Sequence, residues 1–178
     1  MYHHLVEEGI DVDADGNIYA GFRTGVRKFN SDGEHVATWD INPEPGGTSG
    51  RVYDVHIEND GYLYVAEWDG STNTTGRVTR MSTSGTVVTS ITGADSFGGP
   101  KDSAQDSNGR LFVQGWAECK VGIYDSNLSK LAVIEPTLSC GGQGIAIGTD
   151  GSIFVLDQDK VRKFAPWVSS SWAGSMTS

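Results

Sequence analysis

Basic residues are in short supply in this chain. Lys and Arg number 13 against 23 Asp and Glu, a net charge of −10. No Lys/Arg cluster interrupts that acidity, so nucleic acid and anionic membranes are excluded as partners by repulsion. No apolar run approaches the ~18 residues of a spanning helix, which excludes insertion by that route. The opening MYHHLVEE is too short and too polar for a secretory leader. Histidine is scarce: His3, His4, His35 and His56 are all there is. No Gly-x-Ser-x-Gly elbow is present. Gly141-Gly142-Gln143-Gly144 precedes a strand pattern rather than a helix, so it does not make a phosphate cradle. No stretch has a helical period.

What the chain has is repetition. A phrase recurs at Gly9–Trp39, Asp54–Ile91, Asp102–Ile134 and Gly144–Trp172. Its register is set by Gly16, Gly61, Gly109 and Gly151, spaced 45, 48 and 42 residues apart. Period-two apolar residues flank each Asp-Gly or Asn-Gly turn, as in Ile10/Val12 before Gly16 and Ile18-Tyr19 after it. That pattern predicts a hairpin. A third strand follows at Val26–Phe29, Val78–Met81, Val121–Tyr124 and Val161–Phe164. A fourth is predicted at Val36–Trp39, Val87–Ile91, Leu131–Ile134 and Val168–Trp172. Four strands per unit in one all-β domain over residues 1–178 predict a β-propeller with blades near 9–40, 54–92, 102–135 and 144–174. The third copy is weakest, with Ser103 and Gln105 at normally apolar positions. Two arrangements satisfy the pattern: a closed four-bladed ring, or an open arc of a larger propeller. An open arc leaves two raw blade faces that need a partner, so self-association is expected of it.

The run Gly9-Ile10-Asp11-Val12-Asp13-Ala14-Asp15-Gly16-Asn17-Ile18-Tyr19, followed by Val26-Arg27-Lys28-Phe29 and an Asp-Gly turn, resembles the NHL repeat. The resemblance covers about residues 9–172. It implies a propeller of NHL-like four-stranded blades. Propellers of this kind include ligand-binding modules, extracellular scaffolds, and metal-assisted lyases and lactonases, and usually have more than four blades.

Aligned columns then locate candidate chemistry. Asp11, Asp13 and Asp15 look like the start of a calcium loop, but the twelfth position is Phe22 rather than an acid, so a turn is the expectation. Eight residues before each turn glycine stand Glu8, Tyr53, Lys101 and Gln143. In the metal-dependent relatives that the resemblance implies, this column carries ligands. Here it is no metal set, and Lys101 would instead pair with Glu8 in a closed ring. The next column holds Gly9, Asp54, Asp102 and Gly144. Asp54 and Asp102 either share a cation or water, or line the channel with backbone hydrogen bonds. His56 is expected to pack beside Asp54. Seven residues after each glycine stand Arg23, Trp68, Trp116 and Gln158, at the start of loops on one face. Tryptophans on adjacent blades either stack on a sugar or aromatic ring, or cap the blade core.

Cys119 and Cys140 fall in connections that emerge on that same face. Either they close a loop of about 20 residues, worth on the order of 3 kcal/mol, or they are two free thiols. A bond would fit an extracellular or periplasmic setting. The expected function is a non-catalytic module binding protein or carbohydrate through Arg23, Trp68, Trp116, Gln158, Tyr53 and Lys101, with no cofactor. One alternative is a lyase or hydrolase in which Asp54, Asp102 and His56 contribute, with a divalent cation at the aspartates. Another is a structural subunit of an extracellular assembly.

Overall fold

The computed structural model describes residues 9–22, 25–41, 51–68, 76–92, 99–115, 119–134, 138 and 144–168. All regular structure among them is β. The first sheet holds β1 (Ile10–Val12), β2 (Ile18–Phe22), β3 (Gly25–Phe29) and β4 (His35–Asp40). The second holds β5 (Arg51–Ile57), β6 (Leu63–Trp68), β7 (Gly76–Met81) and β8 (Val87–Thr92). The third holds β9 (Pro100–Gln105), β10 (Leu111–Gly115), β11 (Lys120–Tyr124) and β12 (Lys130–Ile134). The fourth holds β13 (Ile145–Ile147), β14 (Ile153–Asp157) and β15 (Lys160–Phe164). Each sheet is an antiparallel meander in chain order. These are propeller blades, as the repeat predicts. The predicted fourth strand of the last blade is not seen: Val168 is outside any strand, and 169–172 lie outside the described residues. The second blade's inner strand starts earlier than expected, at Arg51.

The turn glycines build one loop four times. Gly16 donates to the Asp13 carbonyl and Asp13 to the Asn17 carbonyl; Glu58–Tyr62, Asp106–Arg110 and Gly148–Ser152 repeat the pair. Gly16, Gly61, Gly109 and Gly151 have φ of 83, 75, 75 and 80°. This is a three-residue hairpin loop closed by a glycine bulge. Asp13 stabilises it by accepting from the Asp15 and Asn17 amides at 3.0 and 2.8 Å and from Tyr19 Oη at 2.9 Å. Its carboxylate thus serves the turn, which bears out the turn reading of the acidic run. The loops Asn30–Glu34, Ser82–Thr86 and Asp125–Ser129 repeat the form between third and fourth strands. There Leu128 takes the left-handed place of Gly33 and Gly85, at φ 61°. That geometry costs about 1–2 kcal/mol, offset because Leu128 is buried between the second and third blades.

The core lies between sheets rather than within one. Tyr19 and Val26 pack on Val52, Val55 and Leu63 of the next blade. Tyr64 and Val78 pack on Leu111 and Val113. Phe112 and Val121 pack on Ile145 and Ile153. The innermost strands β1, β5, β9 and β13 neighbour one another in sequence. No extensive packing joins the strands of the first blade to those of the fourth among the described residues. The blades therefore form an arc.

Candidate functional site

Each inner strand is the edge of its sheet, so its outward backbone amides need acceptors. Carboxylates of the preceding blade supply them. Asp11 Oδ2 accepts from the Ile57 amide at 2.8 Å. Asp54 Oδ2 accepts from the Ser103 amide and hydroxyl at 3.3 and 3.4 Å. Asp102 Oδ2 accepts from the Ile145 amide at 2.7 Å. Glu58 accepts from the Gln105 amide. These bonds help β9 form despite its polar positions: acids of the preceding blade hold the Ser103 amide and hydroxyl and the Gln105 backbone amide, while the buried Gln105 side chain is left without a hydrogen-bond partner. Asp54 and Asp102 thus both make hydrogen bonds to backbone amides of the next blade.

The same acids converge with a histidine. His56 Nδ1 lies 3.1 Å from Asp11 Oδ2, and its Nε2 4.0 Å from Asp102 Oδ1. One ligand atom from each of Asp54, His56 and Asp102 lies within 4.8 Å of the others. His56 stands beside Asp54, the expected neighbour, and also has Asp11 and Asp102 within reach. Asp54 is only 8% exposed. Burial, then the charge of Asp102, pushes its pKa up to about 7, and its carboxyl hydrogen-bonds that of Asp102. Burial also raises Asp102. Burial pushes Glu58 up to about 7. Burial opposes protonation of His56, but Asp54, Asp11, Glu58 and Asp102 outweigh it and hold its pKa raised. Asp11 goes the other way: burial is outweighed by hydrogen bonds from Ile57, His56 and Val12, and its pKa falls. The arrangement is a proton-sharing pair of carboxyls beside a protonatable imidazole.

One residue nearer the start of these strands lies an aromatic group. Tyr53 bulges out of β5 at the register shift between Val52 and Asp54. Its ring is 5.7 Å from that of Trp68, tilted 42°. Lys101 Nζ lies 3.1 Å from the Tyr53 centroid and 5.0 Å from that of Trp68. Tyr53, Lys101 and Trp68 therefore come together. Gln158 stands on the fourth blade, in the turn between β14 and β15, at φ 57°. Arg23 and Trp116 lie outside the described residues, as do Glu8 and Gln143. Cys119 stands in the β10–β11 connection and is not a free thiol. Cys140 lies outside the described residues.

Asp11 and Glu58 were missed as members of this cluster. The columns compare equal positions, whereas each acid acts one blade further on. A signal existed: acids on one inner strand stand opposite amides of the next.

No protein-family description matches the chain, and none of the curated proteins matches. Solved structures do. Virginiamycin B lyase from Staphylococcus aureus is 16% identical with a TM-score of 0.71, over 96% of this chain and 54% of that one. A luciferin-regenerating enzyme is 14% identical with a TM-score of 0.72, over 99% of this chain and 62% of that one. The WD40 β-propeller domain of Doa1 is 11% identical with a TM-score of 0.68, over 89% and 51%. The chain spans little more than half the length of these structures. At such identities the likeness is one of fold: this chain is built as a β-propeller.

Proposed function

We propose that the chain is an NHL-like propeller module that binds a small ring-bearing ligand, a carbohydrate or an aromatic, at the mouth beside its inner strands. The observation that carries this is the Tyr53–Trp68–Lys101 group, two tilted rings 5.7 Å apart with an ammonium against them. Such rings supply a stacking face, and the lysine orients polar or anionic substituents. The acidic charge and Cys119 support an extracellular or periplasmic setting, with Cys140 as the proposed disulfide partner. Titration calorimetry against a panel of neutral and acidic oligosaccharides tests the reading. Binding that disappears in Trp68→Ala and Tyr53→Ala supports it. Binding of every detected ligand that survives both substitutions defeats it.

One observation favours a second reading, acid–base chemistry of a lyase or hydrolase type. Asp54, with its pKa near 7, lies one residue below Tyr53 and within reach of His56 and Asp102. A group poised near neutrality is what general acid catalysis needs. The donor atoms Asp54, Asp102 and His56 also suit a divalent cation, although Asp54 already spends one oxygen on a backbone amide and Asp102 both. This reading requires turnover that is lost in Asp54→Asn while ligand binding persists.

A further inference from the structure

Each internal blade junction uses the same columns. The residue six before the turn glycine faces the preceding blade, and the first valine of the third strand faces the following one. Val26 and Val55 share a core cluster across the first junction. Val121 and Ile145 share one across the third. At these junctions the columns are sealed: Val55 and Ser103 are 1% exposed and Ile145 7%, while Val26, Val78 and Val121 are at 0%. At the ends of the arc the same columns are open. Ile10 is 67% exposed and Val161 68%. Val12 and Leu156 are exposed beside them. A groove of about 310 Å³ runs over the first blade's open face, lined by Ile10, Ile18, Ala20, Phe22 and Phe29.

The two open faces are not alike. One is the face that every later blade presents backwards, the other the face that every earlier blade presents forwards. They are complementary halves of a junction that this chain already forms three times. We infer that they bind a second copy of this chain, head to tail, with Val161 of each copy meeting Ile10 of the other. Two arcs of four sheets each then make an eight-bladed ring, within the known size range of propellers. Both junctions of such a ring are the same, so the assembly closes and does not grow. The proportion agrees, since one copy spans little more than half of the compared propellers. The competing occupant is a set of further blades supplied by a longer chain.

Light scattering coupled to size exclusion, on the 178-residue chain at micromolar concentration, decides between them. The expected particle has twice the 19.0 kDa of one chain. Ile10→Glu and Val161→Lys, each alone, should halve that mass while the far-ultraviolet β spectrum is unchanged, because both side chains are exposed within one arc. The double variant should restore the dimer by placing opposite charges across both junctions. A wild-type particle of one chain, an open-ended polymer, or a dimer indifferent to both single substitutions overturns the inference. The first of these outcomes assigns the faces to further blades of a longer chain.

Discussion

Asp54 makes the protein's stability depend on pH in an unusual direction. Its ordinary pKa of 3.8 is pushed up to about 7 in the fold. The folded state therefore holds a proton that the unfolded state releases between these two values. Stability is fully present below the unfolded value and is lost as pH rises toward the folded one. A displacement of about three pKa units corresponds to at most ~4 kcal/mol at 1.36 kcal/mol per unit. Coupling to Asp102 divides that among the group, so about 2–4 kcal/mol is expected. Glu58, also near 7, and His56, raised by its acidic neighbours, push the same way. Asp11 and Asp13, both lowered, act oppositely, but their window lies below pH 4. Urea unfolding at pH 5 and pH 8 measures the part of the effect that falls above pH 5, at most about 2.7 kcal/mol: the midpoint should fall at the higher pH with an unchanged slope. Asp54→Asn separates this residue from its neighbours. Asparagine keeps a donor for Asp102 and an acceptor for Ser103, and carries no charge. The variant should exceed wild type by a smaller margin at pH 5, where only the unfolded chain's carboxyl has ionised, and by a larger one at pH 8. A wild-type midpoint that rises from pH 5 to pH 8, or a variant with the same pH slope as wild type, refutes the reasoning.

Two further outcomes are expected. Glu67 is buried and receives Arg77 at 2.7 and 2.9 Å, and Arg77 also donates to the Ile41 carbonyl of the preceding blade. Glu67→Ala removes the guanidinium's buried counter-charge, which its 24% exposure to water and its bond to Ile41 only partly offset, so about 2–3 kcal/mol should be lost, with Glu67→Gln losing less, as read from the urea midpoint. Gly85 has φ 91°, and a Cβ there would lie 2.2 Å from Trp39 Nε1, whereas Gly33, at φ 79°, has open space around it. Gly33→Ala should cost only backbone strain, about 1 kcal/mol, and Gly85→Ala distinctly more, with a shift in tryptophan emission. Equal thermal midpoints for the two variants would contradict this packing.

The fold was legible because its determinants are local. Gly16 and its three counterparts are read from sequence alone, since a left-handed bulge position is filled cheaply by glycine whatever surrounds it. Leu128 shows the limit. It occupies the same kind of position without any local sign, because what compensates its strain is burial against another blade. Of the site, Tyr53, Trp68 and Lys101 were found by columns, and the structure brings them together because they flank a single blade junction. Gln158 was grouped with them on equal spacing. Its connection is a two-residue turn on the fourth blade, whereas Tyr53, Trp68 and Lys101 stand on the second and third.

Asp11 and Glu58 resisted the column approach for a deeper reason. A propeller repeats its backbone, but the edge of each inner strand presents amides that must find acceptors on a neighbour. Any acid within reach satisfies the need, and reach varies by a residue or two. So Asp11 serves Ile57 from one register, Glu58 serves Gln105 from another, and Asp54 and Asp102 share a third. The clamps therefore fall in three registers, of which only that of Asp54 and Asp102 recurs as a column. Two of them fall on the same side of the second junction as His56. The clustering that resembles an active site thus has a structural cause that operates before any function is invoked. Chemistry, if this chain performs it, must use what the clamps leave over: the second oxygen of Asp54 and Nε2 of His56. A substitution that keeps the clamp and removes the proton, as Asp54→Asn does, is therefore the informative one, because substitution to alanine would confound a lost catalyst with a lost blade junction.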